Sequence, residues 1–178
     1  MILLIGGGTH AGKTKLAQGL LEQYHYPYLS MDHLKMGLIR SRQTALTPLD
    51  PDEALTAYLW PIVREMVMTA VENGQNLIIE GCYIPTDWAK DFSPEYLRHI
   101  RCRFLILSRP YIESHFDDIM AHANDIERRL DDCLNKEELI RENETLLRQC
   151  QLHRCPYHLV EDEYDISTVT TFSSGPCR

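Results

Sequence analysis

The chain has 178 residues, a formal net charge of −8 and a hydrophobic content of 44%. This length is most simply one domain that buries its own core, and the acidic balance argues against a nucleic-acid-binding surface, which needs a basic footprint. It does not argue against a small phosphorylated ligand. No apolar run approaches the roughly 20 residues that span a bilayer, and Met1–Ile5 is too short for a signal peptide. We therefore expect a cytoplasmic monomer or homodimer with no nucleic-acid or membrane partner.

Short apolar runs alternate with amphipathic segments along the chain. The predicted strands are Ile2–Ile5, Tyr26–Leu29, Leu77–Ile79, Phe104–Leu107 and His158–Val160. The predicted helices include Lys13–Tyr24, a segment from His33, a segment from Pro51 to about Gly74, and Glu137–Gln149. Apolar strands that alternate with helices predict an α/β fold, with a parallel sheet covered by helices on both faces.

The helix after residue 50 carries recognisable end signals. Asp50 is predicted to be the N-cap, Pro51 suits the first helical position, and Glu53 completes a capping-box-like pattern. Gly74 is expected to end the helix. Because a proline removes one backbone hydrogen bond, we expect a kink or a break at Pro61.

Residues 7–14 match the phosphate-loop pattern G-x-x-x-x-G-K-[ST] without a mismatch, between a predicted strand and a predicted helix. The residues expected to bind the nucleotide are Gly7, Gly8, Thr9, His10, Ala11, Gly12, Lys13 and Thr14. Glycines let successive N–H groups point at a phosphate, and the helix adds the positive end of its dipole. Lys13 is expected to contact the β- and γ-phosphates and the Thr14 hydroxyl to bind Mg²⁺. The alternative is a glycine-rich turn with a chance Gly-Lys-Thr.

Two other patterns point to different classes of site. Cys150, His153, Cys155 and His158 allow a zinc hypothesis, although their spacing matches no common structural zinc pattern. The alternative is a helix end with partly buried thiols. The stretch 135–138, Asn-Lys-Glu-Glu, is the nearest match to the Asn-Lys-x-Asp motif of switch GTPases but ends in the wrong acid. The absence of a true Asn-Lys-x-Asp motif favours phosphoryl transfer over a GTP switch.

Four segments together resemble the nucleoside monophosphate kinases, which are relatives of adenylate kinase. The first is the phosphate loop. The others are Ser30–Lys35, which is similar to a Gly-Asp-x-x-Arg segment, Ile79–Gly81, similar to Asp-Gly, and Arg129–Asp132, similar to the Arg-x-Asp-Asp of the lid. The resemblance implies a single three-layer P-loop kinase domain over 1–178. It also implies a five-stranded parallel sheet, a short helical lid at about 113–135, and ATP with Mg²⁺ as cofactors.

The acceptor side departs from this family. Lys35 stands where an arginine is expected, Pro85 is not followed by an arginine, and lysine does not grip phosphate bidentately. The same scaffold resembles chloramphenicol phosphotransferases, zeta-type toxins and proteins labelled 2-phosphoglycerate kinases, whose acceptor is a hydroxyl. In the first two groups an aspartate just after the second strand acts as a base, and Asp32 matches it.

Three functions therefore stay open. The first is a nucleotide-kinase-like transfer of the ATP γ-phosphate to a small molecule. The second is a hydroxyl-directed small-molecule kinase of the phosphoglycerate, nucleoside or antibiotic type, with Asp32 as the base. The third is a nucleotide-binding regulatory protein with little turnover.

Each candidate residue has a plainer alternative. Asp32 is expected to bind the acceptor or act as base, or else only to cap the helix that begins at His33. Glu80 is expected to contact substrate or hold a Mg²⁺-bound water, or else to be a strand-end acid that faces solvent. Lys35 and Arg40, on the helix after the second strand, are candidates for substrate recognition.

Arginines further along the chain are candidates for phosphate contact. Arg129 is expected to reach the transferring phosphoryl group, or else to be a solvated charge beside Asp131 and Asp132. Arg141 lies nearly where a second lid arginine would be. Arg109 directly follows the fourth strand and faces either the ligand edge or solvent.

Overall fold

A five-stranded parallel sheet forms the centre of the computed structural model, which describes residues 1–121, 135–162 and 164. Its strands are β1 (Ile2–Gly7), β2 (Tyr28–Ser30), β3 (Leu77–Glu80), β4 (Ile100–Leu107) and β5 (Tyr157–Val160). Their spatial order is β2-β3-β1-β4-β5, and each neighbouring pair is parallel. The predicted parallel α/β fold is therefore confirmed.

Helices connect the strands within the described ranges. They are α1 (Lys13–Tyr24), α2 (Met31–Arg40), α3 (Asp52–Glu72), α4 (Pro94–Leu97), α5 (Arg109–Ala121) and α6 (Lys136–Leu152), together with a 3₁₀ turn at Trp88–Asp91. In this part of the chain no helix is both long enough and apolar enough to cross a bilayer. The predicted lid lies largely outside it, since 113–121 belong to α5 and residues 122–134 are not described.

The start of α3 differs from the prediction, and its middle has no break. Pro51 is the N-cap residue, whereas the Asp50 carboxylate accepts hydrogen bonds from the backbone and hydroxyl of Thr47 at 2.6 and 2.7 Å. The helix also runs through Pro61 without a break. Pro61 and Ala57 lie on the exposed face of α3, so water can satisfy the Ala57 carbonyl that loses its helical donor.

The two faces of the sheet bury separate apolar clusters because successive strand side chains alternate. In β1, Ile2 and Leu4 pack on the face covered by α3, while Leu3 and Ile5 pack on the face covered by α1, α5 and the first half of α6. Residues 2–5 are all less than 5% exposed. This double burial explains the unbroken apolar sequence of β1 and holds the loop that follows it on a rigid strand.

Candidate active site

The predicted donor and acceptor segments meet at one edge of the sheet, where β1, β2 and β3 end. Glu80, the last residue of β3, is in register with Ile5 of β1 and with Ser30 of β2. The chain beyond Ile5 enters the phosphate loop, and the chain beyond Ser30 enters α2, which carries Asp32. Glu80 therefore lies between the two segments, at the edge where ligands bind in sheets of this kind.

The phosphate loop, residues 7–14, leads into the N-terminus of α1, which no described acid or capping side chain neutralises. Gly12 is the N-cap residue of α1 and has φ 82°, a left-handed conformation that favours glycine. Among the described residues no side chain caps α1, and its first turn contains no acid. The amides and the positive dipole end of α1 are therefore available to an anion.

Lys13 is buried at the first position of α1. The residue is 6% exposed, and its Nζ donates to the Gly8 carbonyl at 2.7 Å. Burial alone would lower the pKa of this ammonium. The neighbouring Cys82 and Glu80 act in the opposite direction and outweigh burial, so the pKa of Lys13 lies above its usual value. Lys13 therefore stays positively charged at neutral pH, as phosphate binding requires.

The residues predicted to hold Mg²⁺ offer the right kind of atom. Glu80 is 1% exposed, so the alternative in which it faces solvent is wrong. Ser30 beside it has a buried Oγ with no hydrogen-bond partner in the described part of the chain, and Thr14 is half-buried in the first turn of α1. Carboxylate and hydroxyl oxygens suit Mg²⁺ and its bound waters. These residues therefore fit the predicted ion.

Asp32 lies inside the first turn of α2, because the helix begins at Met31 with Ser30 as its N-cap residue. The alternative in which Asp32 only caps a helix that begins at His33 is therefore wrong. The Lys35 ammonium donates to the Asp32 carboxylate at 2.5 Å. The Asp32 side chain is 30% exposed, so a ligand can reach the carboxylate while Lys35 holds it in place.

Tyr83 is the third member of this group and was not predicted from the sequence. Lys35 Nζ donates to its hydroxyl at 2.8 Å and lies 4.9 Å from its ring centroid. Burial raises the pKa of Tyr83. Burial alone would lower the pKa of Lys35, but the hydrogen bonds to Asp32 and Tyr83 outweigh it and the pKa is raised. The only sequence signal for Tyr83 was its place just after a strand.

Gly81 allows β3 and α2 to approach closely. A Cβ at this position would lie 2.7 Å from the Cβ of Met31, which is closer than real contacts of that kind. The glycine that directly follows β3 therefore has a packing reason, because it makes room for the start of the helix that carries Asp32.

Two predicted arginines lie away from this group or outside the described residues. Arg40 is exposed at the end of α2, eight residues and about 12 Å along the helix from Asp32. Arg129 falls within 122–134, so its contact with a phosphoryl group stays a prediction.

The other two arginines form exposed ion pairs on the helices that flank β4 and β5. Arg109 Nε donates to Glu144 Oε1 at 2.8 Å, and Arg141 lies 3.7 Å from Glu138 with its side chain 70% exposed. Exposed pairs of this kind are worth little energy. The exposed pair with Glu144 supports the alternative in which Arg109 faces solvent.

Tyr164, after β5, packs against the phosphate loop. Its hydroxyl donates to the Ala11 carbonyl at 3.1 Å, and a Cβ on Gly12 would lie 1.4 Å from that hydroxyl oxygen. Lys15 Nζ lies 6.0 Å from the ring centroid, and burial raises the pKa of Tyr164. Gly12 is thus required by its backbone conformation and by this contact, and Tyr164 supports the loop from the far end of the chain.

We expect Tyr164→Phe to raise the KM for ATP about five-fold with little change in kcat, because it removes one hydrogen bond that positions the loop. The measurement is steady-state kinetics at varied ATP. Tyr96→Phe is the matched control, since the Tyr96 hydroxyl makes one hydrogen bond of 2.6 Å, to Glu72, away from the loop. An unchanged KM for ATP, or the same change in Tyr96→Phe, would contradict the role of Tyr164.

The cysteine and histidine cluster builds a helix end. The Cys155 N–H donates to the Cys150 carbonyl at 2.8 Å, and Arg154 between them has φ 54°, as in a Schellman motif. His153 Nδ1 lies 2.7 Å from Thr86 Oγ1. In the described ranges, which include all four predicted ligands, no three His, Cys, Asp or Glu side chains are arranged to hold a metal ion. The zinc hypothesis is therefore wrong.

Solved structures of kinases share the fold. Deoxyadenosine kinase from M. mycoides matches with 14% identity and a TM-score of 0.53, over 94% of both chains. A gluconokinase from Sinorhizobium meliloti 1021 matches with 14% identity and a TM-score of 0.53, over 94% of this chain and 85% of that one. At these identities the likeness concerns the fold alone.

Sequence comparison identifies the family. No curated protein matches the chain. The family model described as chloramphenicol phosphotransferase-like protein matches residues 1–107, which is more than half of the 178. The matched segment runs from β1 through β4 and contains the phosphate loop, Asp32 and Glu80. The chain therefore belongs to the chloramphenicol phosphotransferase-like protein family.

Proposed function

We propose that this protein is a kinase that transfers the γ-phosphoryl group of ATP, with Mg²⁺, to a hydroxyl group of a small molecule. The observation that carries the proposal is the Asp32 carboxylate, which Lys35 holds at the same sheet edge as the phosphate loop, with the end of β3 between them. A carboxylate there is suited to accept the proton of an attacking hydroxyl. Membership of the chloramphenicol phosphotransferase-like family supports the same reaction class.

The charges on the acceptor side favour a hydroxyl over a phosphate as the acceptor group. Lys35 is the cation nearest to Asp32 among the described residues of α2, and its ammonium is already bonded to Asp32 and Tyr83. A phosphate in this position would meet the Asp32 carboxylate beside a lysine whose ammonium is already engaged, so Lys35 does not offset the added negative charge. An uncharged hydroxyl meets no such repulsion, and it needs the base that a phosphate acceptor does not.

The reaction follows from the side chains at this edge. Asp32 accepts the proton of the acceptor hydroxyl while the oxygen attacks the γ-phosphorus and the bond to the β–γ bridging oxygen breaks, which releases ADP. Lys13 and the loop amides stabilise the charge that develops on the phosphate oxygens. Thr14 and, through water, Glu80 would hold Mg²⁺, which supplies further positive charge to the β- and γ-phosphate oxygens.

The test is a screen for acceptor-stimulated release of ADP, followed by ³¹P NMR of the product. One set of acceptors carries hydroxyls without phosphate, namely nucleosides, amphenicol-type antibiotics and sugar acids. The other set carries phosphate, namely AMP, CMP and phosphoglycerates. We expect stimulation by a member of the first set and the NMR signal of a phosphate monoester.

The product distinguishes the candidate functions. A preference for AMP or CMP, with a new diphosphate signal, would show a nucleotide kinase and overturn the proposal. Tight ATP binding without stimulation by any acceptor would favour the regulatory protein instead.

A further inference from the structure

Helix α6 is anchored beside the phosphate loop by a buried asparagine. Asn143 is 1% exposed, and its Oδ1 accepts a hydrogen bond of 2.9 Å from the Leu107 N–H at the end of β4. Its Nδ2 donates to the Leu139 carbonyl at 2.9 Å. A Cβ on Gly8 would lie 3.2 Å from the Asn143 amide. The position of α6 against the loop is therefore well defined.

The residue before Asn143 bonds directly to the loop. The Thr9 N–H donates to Glu142 Oε1 at 2.8 Å, across 133 residues of sequence. The negative charge of Glu142 also contributes to the raised pKa of Lys13. Lys13 itself donates to the Gly8 carbonyl. The Thr9 amide and the Lys13 ammonium are groups that a phosphate-binding loop offers to its ligand. Both are thus already hydrogen-bonded within the protein.

A carboxylate oxygen at the Thr9 amide makes the contact that a phosphate oxygen would make. Amides in a loop of this kind point at anions, whichever anion is present. A phosphate chain and the Glu142 carboxylate cannot both lie against this amide, because like charges at such distances repel strongly in a partly buried site. Binding of a nucleotide in the loop therefore requires Glu142 to leave.

We propose that Glu142 selects the form of the phosphate donor. Its carboxylate occupies the Thr9 amide until the phosphates of magnesium-bound ATP displace it, and it disfavours free ATP more strongly because free ATP carries more unneutralised charge. This inference rests on the proposed function in that ATP is the donor. It gives α6 a role in donor binding. This helix lies outside both the phosphate-loop motif and the family match, which ends at residue 107.

The test is isothermal titration of ATP into the protein without acceptor, once with EDTA and once with excess Mg²⁺. Glu142→Gln keeps the length of the side chain and an acceptor oxygen but removes the charge. We expect it to tighten the binding of free ATP about ten-fold and that of magnesium-bound ATP about two-fold. Glu142→Ala, which removes charge and acceptor together, is expected to change both affinities in the same direction.

Glu138→Gln is the matched control. Glu138 lies one turn earlier on α6, is 64% exposed and pairs with Arg141, so its replacement removes the same charge without touching the loop. We expect both ATP affinities of this variant to stay within about two-fold of the unmodified protein, since an exposed charge is largely screened.

The outcomes separate this inference from the proposed function. If the unmodified protein binds ATP and Glu142→Gln binds it no more tightly, only the inference is overturned. Weaker binding by Glu142→Gln in Mg²⁺ alone would mean that the carboxylate helps to hold the ion, and this also overturns it. If no ATP binds to the protein or to either variant, both are overturned. Binding to the variants but not to the unmodified protein would support the inference most directly.

Discussion

Replacement of Asp32 by asparagine is expected to lower kcat for the hydroxyl acceptor by about 10²–10⁴-fold, the usual contribution of a general base. Asparagine keeps the shape of the side chain but cannot accept the proton. The KM for ATP should change less than two-fold, because the phosphate loop is built by other residues. The measurement is steady-state kinetics with the acceptor found in the screen.

Asp87→Asn is the control that matches Asp32→Asn in chemistry. Asp87 forms an ion pair with Lys90 at the same i, i+3 spacing as Asp32 with Lys35, but on the surface. We expect its kcat to be unchanged. If Asp32→Asn raises only the KM for the acceptor and leaves kcat intact, Asp32 positions the acceptor without acting as the base.

Replacement of Lys13 by methionine is expected to lower kcat by about 10²–10³-fold, as the loss of one preorganised charge-stabilising group does in other active sites. Methionine preserves the buried stem of the side chain but removes the ammonium that would reach the phosphates. The affinity for ATP should fall as well, because charge near the β- and γ-phosphates contributes to ground-state binding. Titration calorimetry and initial-rate kinetics measure the two effects separately.

Lys15→Met controls for the loss of a positive charge on the same helix. Lys15 is exposed, and its ammonium lies 6.0 Å from the ring centroid of Tyr164, so we expect little effect on ATP binding. If Lys13→Met binds ATP as tightly as the unmodified protein, residues 7–14 do not hold the phosphates, and the donor site lies elsewhere.

The elements that depend on local pattern were predictable from the sequence. Helix α1 spans Lys13–Tyr24 as predicted, and each of the five predicted strands overlaps an observed strand. Both results depend on contiguous residues, since a strand buried on both faces is apolar throughout and an amphipathic helix repeats every 3.6 residues. The predicted N-cap of α3 was wrong because the Asp50 carboxylate accepts a hydrogen bond from Thr47 in the preceding turn. The capping pattern does not show whether an aspartate bonds to the helix after it or to the turn before it.

The polar partners of the site were less predictable. The phosphate loop, Asp32 and Glu80 could be proposed because ligand-binding residues follow the ends of parallel strands. Tyr83 joins Lys35 across 48 residues, and Tyr164 joins Ala11 across 153. Neither pair follows a periodicity or a motif spacing in the sequence, so these contacts could be found only in the folded structure. The zinc hypothesis failed for a related reason, since spacing alone does not show whether four side chains point toward one centre.

The parallel α/β class, the phosphate loop and the acids at the strand ends could all be inferred from the sequence, because each depends on residue type and on neighbours along the chain. The assembled fold shows that Glu80 and Lys13 are both buried with interacting charges, that Lys35 pairs with Asp32, and that Glu142 accepts a hydrogen bond from the Thr9 amide. Burial and charge pairing are set by groups distant in sequence, and those contacts exist only once the sheet and its helices are assembled.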